Sequence, residues 1–207
     1  MSGCKIKICG ITKMQEIDYL NELKSDYAGF VIGVPKSKRN LKLENAIELK
    51  NNLSKDIKSV AVCVSPSYGM SEQIRDAGFD VLQIHGDFDG KILDIKKLKL
   101  WRAVNILSDV SLIKLNQNIL NKIEGIVVDA LKPGSGKTFS WDDVSRDSIH
   151  MPDKKLILAG GLSIENVSRG IEIFDPDIVD VSSSLEDEQG KNYNKIKAFI
   201  KEVRGNG

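Results

Sequence analysis

The chain has 207 residues, with 30 lysines and arginines against 29 aspartates and glutamates, for a formal net charge of +1. That length carries one sizeable core, so residues 1–207 are read as a single domain. The near balance of charge excludes nucleic-acid or membrane binding through bulk electrostatics, and no apolar run approaches the roughly 20 residues of a membrane span. The segment from Met1 to Ile8 lacks the apolar core of a secretory signal, which places the expected location in the cytoplasm. Cys4, Cys9 and Cys63 are odd in number and fit neither a disulfide framework nor a C-x-x-C metal site, so they are read as reduced thiols. With His85 and His150 far apart, no metal site is expected.

Short apolar runs then alternate with helix-like segments. The first expected strand is Ile6-Lys7-Ile8, closed by Cys9-Gly10. Thr12 and Gln15 have the spacing of a capping box, opening a helix with Ile17, Leu20 and Leu23 on its apolar face. A second strand, Ala28 to Ile32, runs into a basic loop, Pro35 to Arg39, and a helix from Leu43 to Leu53. The third strand, Ser59 to Val64, is an almost unbroken apolar run, as suits a strand covered on both faces. A helix over Ser71 to Asp76 ends at Gly78, a residue type suited to a C-cap. Strands four and five are Val81 to Ile84, closed by His85-Gly86, and Leu100 to Val104. A weaker helical pattern between Val110 and Lys122 precedes the sixth strand, Gly125 to Asp129, and Ser140 to Asp143 opens a short helix. The seventh strand, Lys155 to Ala159, is closed by Gly160-Gly161, and Ser163 is the expected N-cap of a helix carrying Ile164, Val167 and Ile171. The eighth, Ile178 to Val181, is closed by Ser182 to Ser184, and the last helix spaces Ile196, Phe199, Ile200 and Val203 at i, i+3, i+4, i+7. Eight strand–helix units at roughly 20–30 residues each suit a single (β/α)8 TIM barrel. An open doubly wound sheet is the alternative, because alternation alone does not show closure.

In a barrel the active site lies at the C-terminal ends of the strands. Here those ends carry Cys9, the loop of Arg39, His85, Asp129, Gly160-Gly161 and Ser182 to Ser184. A thiol, an arginine and an acid would meet over one mouth. After Asp129 comes a loop with Pro133, Gly134, Gly136, Lys137 and Thr138, whose exposed N–H groups and cation suit a phosphate; its plainer reading is a turn that needs glycine. Gly160 and Gly161 let the backbone come close to a ligand beneath a helix N-terminus, and their plainer reading is a tight turn. Loops seven and eight often hold phosphate in this fold, and Ser182 and Ser183 add hydroxyls and N–H groups. Cys63, inside an apolar strand, reads as a small buried hydrophobe, and Cys4 as a terminal residue. Cys9 differs, since it follows a strand and precedes a glycine. A thiol of ordinary pKa, about 8.5, is only a few per cent ionised at pH 7, so a role as base needs local donors. His85 is read as packing rather than catalysis.

The segments Lys7-Ile-Cys-Gly-Ile-Thr12, Pro35-Lys-Ser-Lys-Arg39, Leu82-Gln-Ile-His-Gly86, Gly134-Ser-Gly-Lys-Thr-Phe139, Leu158-Ala-Gly-Gly-Leu162 and Val179-Asp-Val-Ser-Ser183 stand in the order found in phosphoribosylanthranilate isomerases. The chain resembles that family over nearly its whole length. The resemblance implies a single TIM barrel, no cofactor, and a small phosphosugar substrate, N-(5-phosphoribosyl)anthranilate, converted by an Amadori rearrangement in tryptophan biosynthesis. It implies that the cysteine matching Cys9 is the general base, the aspartate matching Asp129 the general acid, and the arginine matching Arg39 the partner of the anthranilate carboxylate. The glycines and serines at Gly134, Gly136, Gly160, Gly161, Ser182 and Ser183 would hold the phosphate. A monomer or homodimer is expected, with neither nucleic acid nor membrane as partner. Ser184 replaces a usual glycine and Pro133 a common one, and the loop before Arg39 has one residue more, at Gly33-Val34-Pro35. Two other readings stay open: another phosphosugar isomerase or epimerase on the same barrel, and a non-catalytic barrel that binds a phosphorylated ligand.

Overall fold

The computed structural model describes residues 3–105, 117–129 and 153–205. Gly134, Gly136 and Pro133, the short helix expected at Ser140 to Asp143, and His150 lie outside the described residues, as do positions 110–116 of the weak helical pattern.

Eight parallel strands close into a barrel: β1 (Lys5–Cys9), β2 (Tyr27–Ile32), β3 (Lys58–Val64), β4 (Val81–His85), β5 (Lys99–Asn105), β6 (Gly125–Asp129), β7 (Lys155–Ala159) and β8 (Ile178–Val181), with a further two-residue strand, Asn40–Leu41, paired to the end of β2. Closure comes from β1, which pairs on one side with β2, Ile8 beside Ala28, and on the other with β8, Ile8 beside Val181. The barrel is therefore the fold, and the open sheet is not. The described helices are α1 (Met14–Leu23), α2 (Leu43–Asn51), α3 (Tyr68–Asp76), α4 (Gln117–Lys122), α5 (Val167–Phe174) and α6 (Tyr193–Gly205).

The two-residue period of the strands sorts their side chains into two layers. One phase, including Ile6, Ile8, Ala28, Phe30, Leu82 and Leu158, packs on helix residues such as Ile17, Leu20, Ile74, Val167, Ile196 and Phe199. The other phase fills the lumen with Tyr27, Val60, Val62, Val81, Trp101, Ala103, Val127, Ile157 and Ile178. Lys7 and Cys9 share that lumenal phase. At the N-terminal mouth Tyr27 and Trp101 meet with ring centroids 5.2 Å apart. Glu124 takes hydrogen bonds there from Trp101 Nε1 at 3.1 Å, Lys99 at 2.8 Å and Lys155 at 3.0 Å. A cavity of about 720 Å³ opens at this mouth, lined by Lys5, Lys58, Lys99 and Lys155 among others, on the side opposite the strand ends that carry the chemistry.

Local details depart from the sequence reading at helix starts. The cap of α1 is provided by Glu16, not Gln15: its Oε2 accepts from the N–H groups of Thr12 at 2.6 Å and Lys13 at 3.2 Å. The box is shifted by one residue because Lys13 is the N-cap and Glu16 stands at the third helical position. Helix α3 begins a turn earlier than expected, where Ser67 Oγ accepts from Met70 N at 3.2 Å. Its end is as expected, with Gly78 at φ +73° just past the last turn. Ser163 is not an N-cap: it opens a turn, accepting from the N–H groups of Asn166 and Val167, and α5 starts only at Val167.

Trp101 is fully buried in the lumen. Replacing it by Ala should lower unfolding free energy by about 3–5 kcal/mol, measured as a shift in the urea midpoint at constant slope; an unchanged midpoint would mean that the plug is not structural.

Candidate active site at the C-terminal mouth

Two glycines shape the end of β1. Gly10 has φ +83°, and a Cβ there would run into Arg39 Cδ. A Cβ on Gly29 would lie 2.8 Å from Cys9 Sγ. Gly29 O also accepts from Gly10 N at 2.8 Å and Ile11 N at 3.0 Å, which turns the chain sharply after Cys9. Arg39 therefore lies across Gly10, next to the half-buried thiol. Ser182, at the end of β8, donates its hydroxyl to Cys9 O at 2.9 Å, so that hydroxyl is engaged with backbone. Ser183 opens a 3₁₀ turn, Ser183–Leu185, and Ser184 Oγ donates to Leu162 O at 2.6 Å, tying the seventh loop to the eighth.

Gly160 and Gly161 both have positive φ, +87° and +69°, which makes glycine the residue these turns require. Asn166 Nδ2 donates to Gly161 O at 3.0 Å and braces the loop. Asp129 ends β6, half-buried, in register with Asn105 of β5 and Ala159 of β7. Since β6 is separated from β1 by β7 and β8, the acid ends its strand three places round the mouth from the thiol. Cys9, Arg39, Asp129, Gly160, Gly161, Ser182 and Ser183 thus all lie at one end of the barrel.

Five charged residues belong to this end that the sequence reading did not single out. Lys7 is fully buried and pairs with Asp180 at 2.6 Å. Burial lowers its pKa, but Asp180 and Cys9 more than offset that, so it sits above the ordinary lysine value. Glu186 binds Arg39 through two hydrogen bonds of 2.5 and 2.9 Å, Nε to Oε1 and a terminal nitrogen to Oε2. Lys191 and Lys38 also reach Glu186, each at 2.7 Å. Against a burial penalty, these three cations hold the Glu186 carboxyl down at about 2. Lys191 is buried, and burial lowers its pKa despite Glu186. The alternating pattern held the signal for the first pair, because a Lys inside Ile-Lys-Ile and an Asp inside Val-Asp-Val both fall on lumenal positions.

The other thiols are chemically quiet. Burial pushes Cys4 and Cys63 up to about 12, and Cys63 packs in the outer layer. Burial also raises Cys9, and its pKa stays above the ordinary thiol value although Lys7 and Lys191 pull against that rise. His85 is neutral, lowered to about 4 by burial and by Lys7 and Arg102. Its Nε2 takes a hydrogen bond from Gln83 Nε2 at 2.9 Å. Among the described residues no group of three or more His, Cys, Asp or Glu is placed to hold a metal ion.

A family model described as N-(5'-phosphoribosyl)anthranilate (PRA) isomerase matches residues 6–202. The N-(5'-phosphoribosyl)anthranilate isomerase of Thermoanaerobacter pseudethanolicus is 41% identical, over 97% of this chain and 98% of its own. That of Streptococcus gordonii is 35% identical over 97% of each. Among solved structures, phosphoribosyl anthranilate isomerase from Thermotoga maritima superposes with a TM-score of 0.76 at 30% identity, covering 98% of this chain and 99% of its own. A complex of that type of enzyme with reduced 1-(o-carboxyphenylamino)-1-deoxyribulose 5-phosphate gives 0.73 at 28% identity, over 98% of this chain and 99% of the other.

The Glu186 cluster has a consequence for stability. A carboxyl held at about 2 against an ordinary 4.5 stabilises the fold fully above about pH 4.5, and that contribution is lost as pH falls towards 2. Urea unfolding of wild type and Glu186→Gln should therefore diverge above pH 4.5 and converge in acid; parallel curves across that window would remove the cluster from the account.

Proposed function

Because the chain belongs to the N-(5'-phosphoribosyl)anthranilate isomerase family, we propose that Cys9 and Asp129 are the acid–base pair with which this isomerase of tryptophan biosynthesis rearranges its substrate. The observation that carries the assignment is geometric. Cys9 is the thiol on the lumenal phase among the described residues, and Asp129 ends a strand on the far side of the same mouth.

The chemistry divides into two proton transfers. Asp129, protonated, gives a proton to the ribose ring oxygen as the C1–O bond breaks, leaving an iminium at C1. That iminium acidifies the C2 hydrogen. Cys9 as thiolate takes the C2 proton; the C–H pair becomes the C1=C2 bond, and the iminium pair moves onto nitrogen. The resulting enolamine tautomerises to the ketone. The iminium is its own electron sink, so the residues in place suffice for the steps described. Gly160, Gly161, Ser182 and Ser183 hold the phosphate together with Gly134 and Gly136, and this distant anchor supplies binding energy that orients the reacting carbons.

Arg39 receives the anthranilate carboxylate. In the free site it already binds a carboxylate in two-point fashion, that of Glu186. Ligand binding exchanges or shares that partner, and Lys191 and Lys38 keep Glu186 neutralised meanwhile. A single domain over 1–207 is supported by one closed sheet running from Lys5 to Val181, followed by a helix that packs on the outer layer. We place the enzyme in the cytoplasm as a monomer or homodimer, a reading supported by a relative from Thermotoga maritima described as dimeric; among the described residues no helix is long and apolar enough to cross a membrane.

The change in anthranilate-type fluorescence on turnover reads the reaction directly. Cys9→Ala and Asp129→Asn should each lower kcat by roughly 10²–10⁴-fold while remaining folded, and Arg39→Gln should raise KM much more than it lowers kcat. No turnover by folded wild type would overturn the substrate assignment, and full activity in either of the first two variants would remove that residue from the mechanism.

A further inference from the structure

Lys7 is a charged residue with no solvent exposure, on the lumenal phase of a strand that is otherwise apolar at Ile6 and Ile8. Its register partner on β8 is Asp180, and the two side chains meet at 2.6 Å. Burying such a pair is expensive, and well-packed apolar residues of similar size often serve stability equally well or better. Stability therefore does not account for a lysine at this position. The ammonium has three donors: Asp180 Oδ2 takes one, and the Cys9 thiol, two residues along on the same lumenal face, is the next group on which its charge acts.

We propose that Lys7 is a positioning residue of the isomerase: anchored by Asp180, its ammonium sits under the Cys9 sulfur and holds the negative charge that Cys9 must carry to accept the substrate proton. This rests on the reading of Cys9 as base. The charged groups around that sulfur come from four elements. Lys7 shares β1, Asp180 comes from β8, Lys191 from the short strand Gly190–Lys191, and Arg39 from the loop after β2. Asp129 stands across the mouth on β6, and His85 on β4, facing Lys7, is neutral. Burial is the largest influence on the thiol, and Lys7 is the strongest opposing one, ahead of Lys191, while Asp180 acts the other way. Asp180 also depends on the ammonium. Burial raises its carboxyl and Lys7 is the first influence that pulls it back, while its Oδ1 is buried without a hydrogen-bond partner in the described structure. The pair therefore holds together, and Asp180 fixes the ammonium in place instead of leaving it to swing towards Cys9 alone.

The test separates charge tuning from scaffolding. The pH dependence of iodoacetamide alkylation at Cys9, resolved from Cys4 and Cys63 by peptide mass spectrometry, gives the thiol pKa without reference to turnover. In Lys7→Met that pKa should rise by about one unit or more, a tenfold smaller thiolate fraction at a given pH. The acid limb of the kcat/KM–pH profile should move up by the same amount, with KM little changed. Lys7→Arg, which keeps the charge, should keep the alkylation profile near that of wild type. Should Lys7→Met leave Asp180 unpaired and the protein unfolded, Lys7→Met/Asp180→Asn is compared with Asp180→Asn alone: Asp180 itself raises the thiol, so the difference between these two variants reads the effect of the ammonium. A Cys9 titration in folded Lys7→Met identical to that of wild type, or in Lys7→Met/Asp180→Asn identical to that of Asp180→Asn, would overturn the proposal. A shifted titration together with an unshifted acid limb would keep the Lys7–Cys9 coupling and instead overturn Cys9 as base.

Discussion

The contact between Lys7 and Asp180 joins the first strand to the last. It lies where the sheet closes, and closure decides everything above it, because only a closed barrel brings the end of β1 to face the end of β6. Taking one partner away would leave a lone charge in the lumen, at a cost on the order of 3–5 kcal/mol. In our proposal the same contact also acts on the charge that Cys9 carries. Variants at Lys7 must therefore be read for the unpaired charge they leave as well as for the proposed effect on Cys9. Gly29 and Gly10 complete the arrangement by giving the thiol and the guanidinium room that any Cβ would fill.

The free site also holds a carboxylate where one is expected to arrive. Glu186 occupies Arg39 in the two-point geometry that suits a guanidinium. An arginine left alone beside Lys191 and Lys38 would face two other cations; Glu186 keeps the three together and keeps Arg39 aimed over Gly10. On the proposed assignment of Arg39, the cost is competition with the ligand's carboxylate. The gain is a binding group already oriented before the ligand comes, and an orienting residue that retains two cations if Arg39 turns away.

Much of this was legible in the residues themselves. Eight apolar runs marked eight strands, most within a residue or two of their ends, because strands buried on both faces read as continuous apolar segments. Gly160-Gly161 marked a turn that does require positive φ at both positions. Local capping was read less well: Gln15 had the expected spacing, yet Glu16 has the charge and the reach to satisfy two N–H groups. The charged partners of the site were missed for a different reason. Lys7 and Asp180 are 173 residues apart, and Arg39 and Glu186 are 147 apart. Nothing local announces such pairs; they follow only once β1 and β8 are known to be neighbours and the side-chain phase is carried around the barrel. Glu186 and Lys191 lie on two-residue strands, Glu186–Asp187 and Gly190–Lys191, too short for any hydrophobic period to show. The roles given to Arg39 and Asp129 came from the family resemblance, since position alone made them candidates among several strand-end residues.

The central claim is that Cys9 and Asp129 act on the sugar from opposite sides while its phosphate is held at the seventh and eighth loops. A crystal structure of this protein with the reduced product, 1-(o-carboxyphenylamino)-1-deoxyribulose 5-phosphate, tests it most directly. The Cys9 sulfur should lie roughly 3–3.5 Å from the carbon that corresponds to C2, with the Asp129 carboxylate beside the oxygen released on ring opening, the phosphate against Gly160, Gly161 and Ser183, and the aryl carboxylate on Arg39. A ligand bound in the reverse sense, with its phosphate on Arg39, or with C2 out of reach of Cys9, would contradict it.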